Sequence, residues 1–424
     1  MDIYKNLPRN DVLCVDMKSF YASVEAISRN LDPLQAYLVV VGDLSRSGSV
    51  VLASSPKMKQ EYGIKTGSRL YEIPKIPKIH VVEARMAKYL EYSMHITEIL
   101  NRFAPPESIH VYSIDESWIN LGKEGASDKL FGKPWDVARL IQRRILTETG
   151  CPSAVGIGEN RLISKIMLDV YSKKSPEGIA ECRYEDVKTK LHPVPIKEIW
   201  GIGRATEKNL HRLGIYTLGD IANYPLELLK KKFGQLMGEQ LYWHSHGIDL
   251  STFESHQNDE FSQKGFSQGI TLLRDYQKEE VHTCLLDLSE EVARRARQAN
   301  KAGRTISLGI GYSKDEGGGG FSKSRSINNS TNVTKRIYQI CQELFNENYW
   351  GGSVRNVYVS LTNLSSDEAL QLDIFEDVGK EREIGYVMDQ IRNKFGSTAI
   401  LRARSYTEGG IIKERAGMIG GHKK

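Results

Sequence analysis

Cysteine is scarce in this sequence and poorly placed for cross-linking. Five cysteines stand among 424 residues, at positions 14, 151, 182, 284 and 341 and never as C-x-x-C. That odd, scattered set argues against a disulfide framework and against a zinc site. Reduced thiols in a cytoplasm are expected. Long hydrophobic runs are also missing. The longest aliphatic run near the N-terminus is "YLVVV" at 37 to 41, far short of the ~20 apolar residues of a membrane span and of a signal-peptide core. The sequence therefore reads as soluble and cytoplasmic, with no membrane partner. Neither sign of charge dominates: 58 Lys plus Arg stand against 53 Asp plus Glu, a net +5. This permits a polyanionic partner without requiring one. No internal repeat is evident, and the length suggests about three domains.

What is present is an alternation of short strands and helices. "DVLCVDMKSFYASVEAI" begins as a buried strand over Val12 to Val15, then turns at Asp16 into a helix with Phe20, Val24 and Ile27 on one face. "YLVVV" and "VVLA" read as strands around the Gly/Ser-rich "GDLSRSGS", followed by a polar helix at "SSPKMKQEYG" and, past Pro74 and Pro77, the strand "IHVVE". A helix from Met86 to Phe103 is stopped by Pro105 and Pro106. The strand-turn-strand "HVYSIDESWINL" follows, then a basic helix, the strand "SAVGIGE" and the helix "NRLISKIMLDVYSKKSP". This order fits a split βαβ, ferredoxin-like sheet. After about residue 180 short helices with glycine punctuation take over. "STFESHQNDEF" reads as a linker. A second α+β unit then runs to about 365, and a hydrophilic tail with a helix at "EREIGYVMDQIRNKF" closes the chain.

Asp115 and Glu116 are adjacent within the hairpin "YSIDES". Taken alone they fit a polar turn, and Asp16 alone fits a helix cap. If the two strands neighbour each other, however, three carboxylates meet at one sheet edge, a repulsive cluster that cations would offset. Hard divalent ions with oxygen ligands do this, and a pair about 3.5 to 4 Å apart can stabilise both the attacking and leaving oxygens of phosphoryl transfer.

"VDMKSFYASVEA" together with "YSIDESWINL" resembles the paired catalytic motifs of the Y-family, or translesion, DNA polymerases, and most closely their UmuC-like branch. The similarity continues through "GSVVLASSPKMKQEYGIKTGSRLYEI", "AVGIGENRLISKIMLDVYSKKSPEGIA" and "IWGIGRATEKNLHRLGI". It implies a right-hand polymerase of α+β multidomain class. A ferredoxin-like palm would occupy 1–20 and 80–180, with small fingers at 21–79 and a helical thumb with a helix-hairpin-helix at 181–250. A linker at 251–262, an α+β little finger at 263–364 and a tail at 365–424 would complete it.

By the same resemblance, Asp16 and Asp115 would bridge two Mg2+ ions in the active site and Glu116 would ligate the ion near the primer 3′-hydroxyl. The backbone carbonyl of Met17 would complete the nucleotide-side ion. Phe20 and Tyr21 would line the nucleotide site, with Tyr21 at the position of the family's steric gate against ribonucleotides; a plain aromatic on a helix face is the other reading. Lys18 stands where many relatives carry an acid. Lys59 lies near the family's basic fingers residue, in a register open by one or two positions, and Lys173 or Lys174, with Lys173 preferred, resembles the palm lysine that holds the triphosphate. A solvated lysine run would look the same.

Further along, Gly201 and Gly203 in "WGIGRATEKNLHRLGI" give a helix-hairpin-helix pattern that could bring backbone N–H groups to a DNA phosphate, with Lys208 beside them; a plain helix-helix turn is the alternative. In "GFSKSRSIN", Lys323 and Arg325 alternate with serines, so that one strand face is cationic and could follow a phosphate backbone, or protect an edge strand. Gln371, Leu372, Ile374 and Phe375 in "LQLDIFED" resemble the peptide by which bacterial polymerases dock on the sliding clamp.

The implied partners are primer-template DNA, dNTPs, the sliding clamp and, among candidates, accessory proteins of the SOS response; a monomer is expected. The implied activity is low-fidelity, proofreading-free translesion synthesis by a DNA-directed DNA polymerase. Two alternatives are a non-catalytic adaptor at the clamp and a metal-dependent nuclease or nucleotidyl cyclase on a similar palm.

Overall fold

The apolar run of the first strand is buried on both faces, as a central strand requires. In the computed structural model, which describes residues 3–127, 131–253, 263–367 and 378–423, β1 (Asn10–Met17) has Leu13 and Cys14 fully buried. It leads into α1 (Phe20–Ile27). Next come β2 (Leu38–Val41), β3 (Val51–Ser54), α2 (Pro56–Tyr62) and β4 (His80–Glu83). The strands β3, β2 and β4 form a small sheet of their own around Val39, Val41, Val51 and Met58. The chain returns through α3 (Met86–Leu100) to β5 (Ile109–Val111) and β6 (Glu116–Lys123), then α4 (Pro134–Thr149), β7 (Ser153–Gly158), α5 (Arg161–Ile166) and β8 (Ile179–Glu181). The main sheet has the order β5-β6-β1-β7-β8, with β1 antiparallel to both neighbours and β7 parallel to β8. The expected neighbourhood of the two motif strands is therefore present.

One helix differs from its expected form. The segment read as a continuous helix after β7 is α-helical only to Ile166, and Met167–Ser172 is wound as a π-helix. Ser172 Oγ donates to Val155 O at 2.7 Å and lies 3.0 Å from Met167 O, which shares the same proton, and this fastens the wide turn to β7. The fit is close because β7 supplies glycines. A Cβ on Gly156 would stand 2.0 Å from the Ser164 carbonyl oxygen, and one on Gly158 would stand 2.4 Å from Ile163 Cγ2.

Short helices follow: α6 (Arg204–His211), α7 (Leu218–Ala222), α8 (Leu226–Phe233) and α9 (Gln235–Ser245). They pack around Leu210, Ile215, Leu218, Ile221 and Leu229. Each of these large aliphatic side chains contributes about 1.5–3 kcal/mol by leaving water.

The chain divides into two units, Met1–Asn258 with His422–Lys424, and Asp259–Gly421. The second holds β9 (Gly265–Tyr276), α10 (Lys278–Gln298), β10 (Lys301–Tyr312), β11 (Gly320–Thr331), α11 (Thr334–Asn348) and β12 (Val354–Ser366), with sheet order β11-β10-β12-β9. The helix expected in the tail is α12 (Val378–Phe395). It is tied to α10, because Arg297 Nε donates to Asp389 Oδ2 at 2.7 Å and Arg392 Nη1 donates to Glu290 Oε1 at 3.1 Å. Hydrophilic composition here marks a buried ion-pair network. The expected linker falls largely, and the clamp-like peptide at 371–375 entirely, outside the described residues. Among the described residues no helix is long and apolar enough to cross a membrane, and all five cysteines are unpaired and buried.

Candidate active site

Strand pairing brings the carboxylates together. Asp16 is registered directly opposite Glu116 across the β1–β6 ladder, and facing residues in a ladder project from the same side of the sheet. Asp115 precedes β6 by one residue, and its carbonyl accepts the Met17 N–H at 3.0 Å, so the hairpin is locked to the end of β1. The carboxylate of Asp115 is partly exposed and accepts from Ser113 Oγ at 2.7 Å. Burial, with the like charges of Asp115 and Glu116, pushes the Asp16 carboxyl up to about 6 although Lys173 pulls it down.

Each carboxylate already has a polar partner. Lys173 Nζ lies 3.2 Å from Asp16 Oδ2. Glu116, 7% exposed, receives Lys165 Nζ at 2.7 Å and the Cys14 thiol at 3.2 Å. Among the described residues no three His, Cys, Asp or Glu side chains stand grouped as a ready metal site. The donor chemistry nevertheless suits a hard divalent cation, since the atoms at this edge are carboxylate oxygens, and Asp16 is raised by burial and by the like charges of Asp115 and Glu116 even with Lys173 beside it.

Lysines line the other side. Lys59 Nζ donates to Ser19 Oγ at 2.8 Å; burial lowers its ammonium, opposed by the charge of Asp16, so Lys59 and Asp16 share one field. Ser19 itself holds a left-handed backbone, φ 49°, at the turn into α1, a conformation a non-glycine residue adopts at a strain of about 1–3 kcal/mol and one that clusters at functional sites. Lys174 turns away to Glu198 at 3.3 Å.

The two aromatics separate. Phe20 is 2% exposed and belongs to the core, whereas Tyr21 is half-buried and stacks on Tyr89 with ring centroids 4.3 Å apart and planes at 13°. Tyr89 is held by its hydroxyl donating to Glu25 Oε1 at 2.9 Å, and Glu25 is gripped by Arg85 through two bonds of 2.9 and 2.7 Å. The Phe20 side chain, expected at the nucleotide, is instead turned into the core, because it shares the apolar face of α1 with Val24.

Two residues at this edge were missed by the sequence reading, Lys165 and Asp169. Asp169 bridges the lysines, 3.1 Å from Lys165 Nζ and 2.9 Å from Lys173 Nζ. An α-helix would rotate position 173 by about 80° from position 165. The wider π turn offsets that drift and keeps Lys165, Asp169 and Lys173 on one side. Their four-residue spacing was the available signal.

The remaining candidates lie elsewhere in their units. Gly201 has φ 90° and Gly203 precedes the first turn of α6; a Cβ at either would meet nothing within 4 Å, and Lys208 is exposed. On β11, Lys323 and Arg325 face the same side as the buried Leu308 and Ile306 to which they are registered. Arg325 is paired with Glu343 and, at 2.7 Å, with Glu347 of α11. The opposite face carries the serines, with Ser324 and Ser307 hydroxyls 2.8 Å apart. The cationic side is thus the one on which α11 packs, through Ile337, Ile340 and Leu344 against Ile306 and Leu308, with its glutamates pairing Arg325 at the margin.

Comparison with known proteins agrees with this architecture. The sequence model of the impB/mucB/samB family matches residues 15–169, that of the family's C-terminal domain matches 263–374, and one described as "DNA polymerase-iota, thumb domain" matches 197–249. The chain is 52% identical over 99% of both lengths to "Putative UV-damage repair protein UvrX" of Bacillus subtilis (strain 168). It is 40% identical to "DNA polymerase IV 2" of the same organism, covering 97% of this chain and 98% of that one. Among solved structures, a Y-family DNA polymerase chimera, Dbh-Dpo4(243-245)-Dbh, superposes with a TM-score of 0.64 at 24% identity, covering 83% of this chain and 98% of the chimera, a likeness of fold. The chain belongs to the impB/mucB/samB family, the UmuC-like branch of the Y-family DNA polymerases.

Proposed function

We propose that this DNA-directed DNA polymerase adds dNTPs to a primer across damaged template, with low fidelity and no proofreading. The observation that carries the reading is the convergence of Asp16, Asp115 and Glu116 at the edge where β1 meets the hairpin before β6. Asp16, Asp115 and Glu116, with the Met17 carbonyl, would hold two Mg2+ ions. Bound there, the ions would lower the pKa of the primer hydroxyl and neutralise triphosphate charge.

The protein's own groups do the positioning. Lys59 and Lys173 offer ammonium groups to the triphosphate from two sides. Tyr21, backed by the Tyr89 ring, sets the floor beneath the sugar. Gly201, Gly203 and Lys208 would approach a DNA phosphate without reading sequence. In the second unit Lys323 would offer its own phosphate contact, and Arg325 would do so only by releasing Glu343 or Glu347. Primer extension with Mg2+ on undamaged and lesion-bearing templates tests the reading. Added nucleotides support it, and released fragments would place the chain among nucleases instead.

Tyr21→Ala is expected to raise ribonucleotide incorporation at least about tenfold relative to deoxyribonucleotides, the scale on which a pocket rejects a misfitting group. Single-nucleotide insertion with rNTP and dNTP measures the ratio, and an unchanged ratio rules out Tyr21 as the gate. Residues 371 to 375 are proposed to dock on the sliding clamp, a tether that raises local concentration at the primer end. Their deletion should abolish stimulation by clamp while basal extension stays intact; equal loss of both would make the segment structural. Accessory SOS proteins are further candidate partners, and a cytoplasmic monomer is the proposed working form.

A further inference from the structure

The π-wound helix holds an arrangement that the polymerase reaction alone does not require. Lys165, 5% exposed, has Nζ 2.7 Å from Glu116 Oε2 and 3.1 Å from Asp169 Oδ2. Lys173 has Nζ 3.2 Å from Asp16 Oδ2 and 2.9 Å from Asp169 Oδ1. Both ammonium groups therefore contact one of the proposed metal ligands and also share Asp169, a carboxylate that lies on neither β1 nor β6. Burial by itself would lower the Lys165 ammonium, but its hydrogen bond to Glu116 and the surrounding acids raise it, so it remains charged at neutral pH.

A divalent ion would compete with these lysines for the charge and the oxygens of the same two carboxylates, and a +2 charge beside an ammonium repels it. Asp169 offers each displaced lysine a partner it already touches, so neither charge is stranded when the other contact breaks. Leaving a buried lysine unpaired would be strongly unfavourable.

We propose that Lys165, Asp169 and Lys173 form a cation latch: the two lysines hold Glu116 and Asp16 in the free protein and withdraw onto Asp169 as a divalent ion takes those oxygens. This rests on the reading of Asp16 and Glu116 as metal ligands. The lysines and Asp169 are positioning residues, and they set how tightly the protein alone holds metal. A triphosphate attracting Lys173 would favour withdrawal, coupling metal loading to nucleotide binding.

The test is titration of the full chain with Mn2+, without DNA or nucleotide, following free Mn2+ by electron paramagnetic resonance. Lys165→Met is expected to tighten Mn2+ binding about tenfold, the scale of one charge-assisted hydrogen bond. Lys173→Met, at a half-exposed site where folding is not at risk, should tighten it in the same direction. Asp169→Asn, which removes the charge that receives the lysines, should weaken binding several-fold. A general folding defect would weaken all three, so the opposite signs identify the latch, and a thermal melt of each variant checks the fold. Unchanged or weaker binding in both lysine variants overturns the proposal. Glu116→Gln separates the two levels. If it weakens Mn2+ binding while the lysine variants do not tighten it, the ligand reading stands and the latch falls. If it has no effect on Mn2+ binding, both fall.

Discussion

Asp115→Ala is expected to lower primer extension by about a thousandfold or more, the scale seen when a group that stabilises transition-state charge is removed, while leaving the melting temperature nearly unchanged. The two halves of the expectation come from different atoms. The hairpin is held by the Asp115 carbonyl, which accepts the Met17 N–H and is retained in alanine. The side chain is partly exposed and its hydrogen bond is to the nearby Ser113 hydroxyl, so its loss strands no buried charge. What disappears is one carboxylate from a cluster whose mutual influence is visible in Asp16, and with it the negative charge that a divalent ion would bridge. Single-turnover extension in Mg2+, paired with a thermal melt of the same preparation, measures both. Extension at the wild-type rate would remove Asp115 from the metal site, whereas a collapsed melting temperature would show that the hairpin depends on the carboxylate.

The carboxylate edge was legible because each part has a local cause. An apolar run ending in Asp16 marks a buried strand and its exit, and the hairpin "YSIDES" places two acids where a second strand begins. Only the pairing of the two strands had to be supplied, and the β1–β6 register supplies it with Asp16 facing Glu116. Lys165 was not legible for the opposite reason. A lysine within "NRLISKIMLDVYSKKSP" reads as a solvated position, and its burial follows from the close approach of α5 to β7 and from a π turn that has no compositional signature. Arg325 shows a third case: alternation correctly separated serines from cations on β11, but the partners of the cation, Glu343 and Glu347, lie some twenty residues away on α11. Local pattern thus gave the elements and their faces, while the partners of charged side chains came from tertiary packing.

That dependence makes Gly156 the position where the fold and the site are most tightly joined. A Cβ there would lie 2.0 Å from Ser164 O, 2.4 Å from Leu168 N and 2.9 Å from Leu168 Cα, all backbone atoms that no rotamer change can move aside. Gly156→Ala must therefore push the helix off β7 or bend the strand, an overpacking cost of about 3 kcal/mol or more, at the upper end for core insertions. Displacement of the segment carries Lys165, Asp169 and Lys173 away from Glu116 and Asp16, whose ion pairs span only 2.7 and 3.2 Å. The expected result is a lower midpoint in urea together with impaired extension even at temperatures where the variant remains folded. The control is Gly203→Ala, where a Cβ meets nothing within 4 Å and φ is an ordinary −83°; its folding midpoint should stay close to wild type. Equal stability of the two variants would mean that β7 and the π-wound helix can separate without loss, and the close glycine contact would not be what sets the position of the lysines.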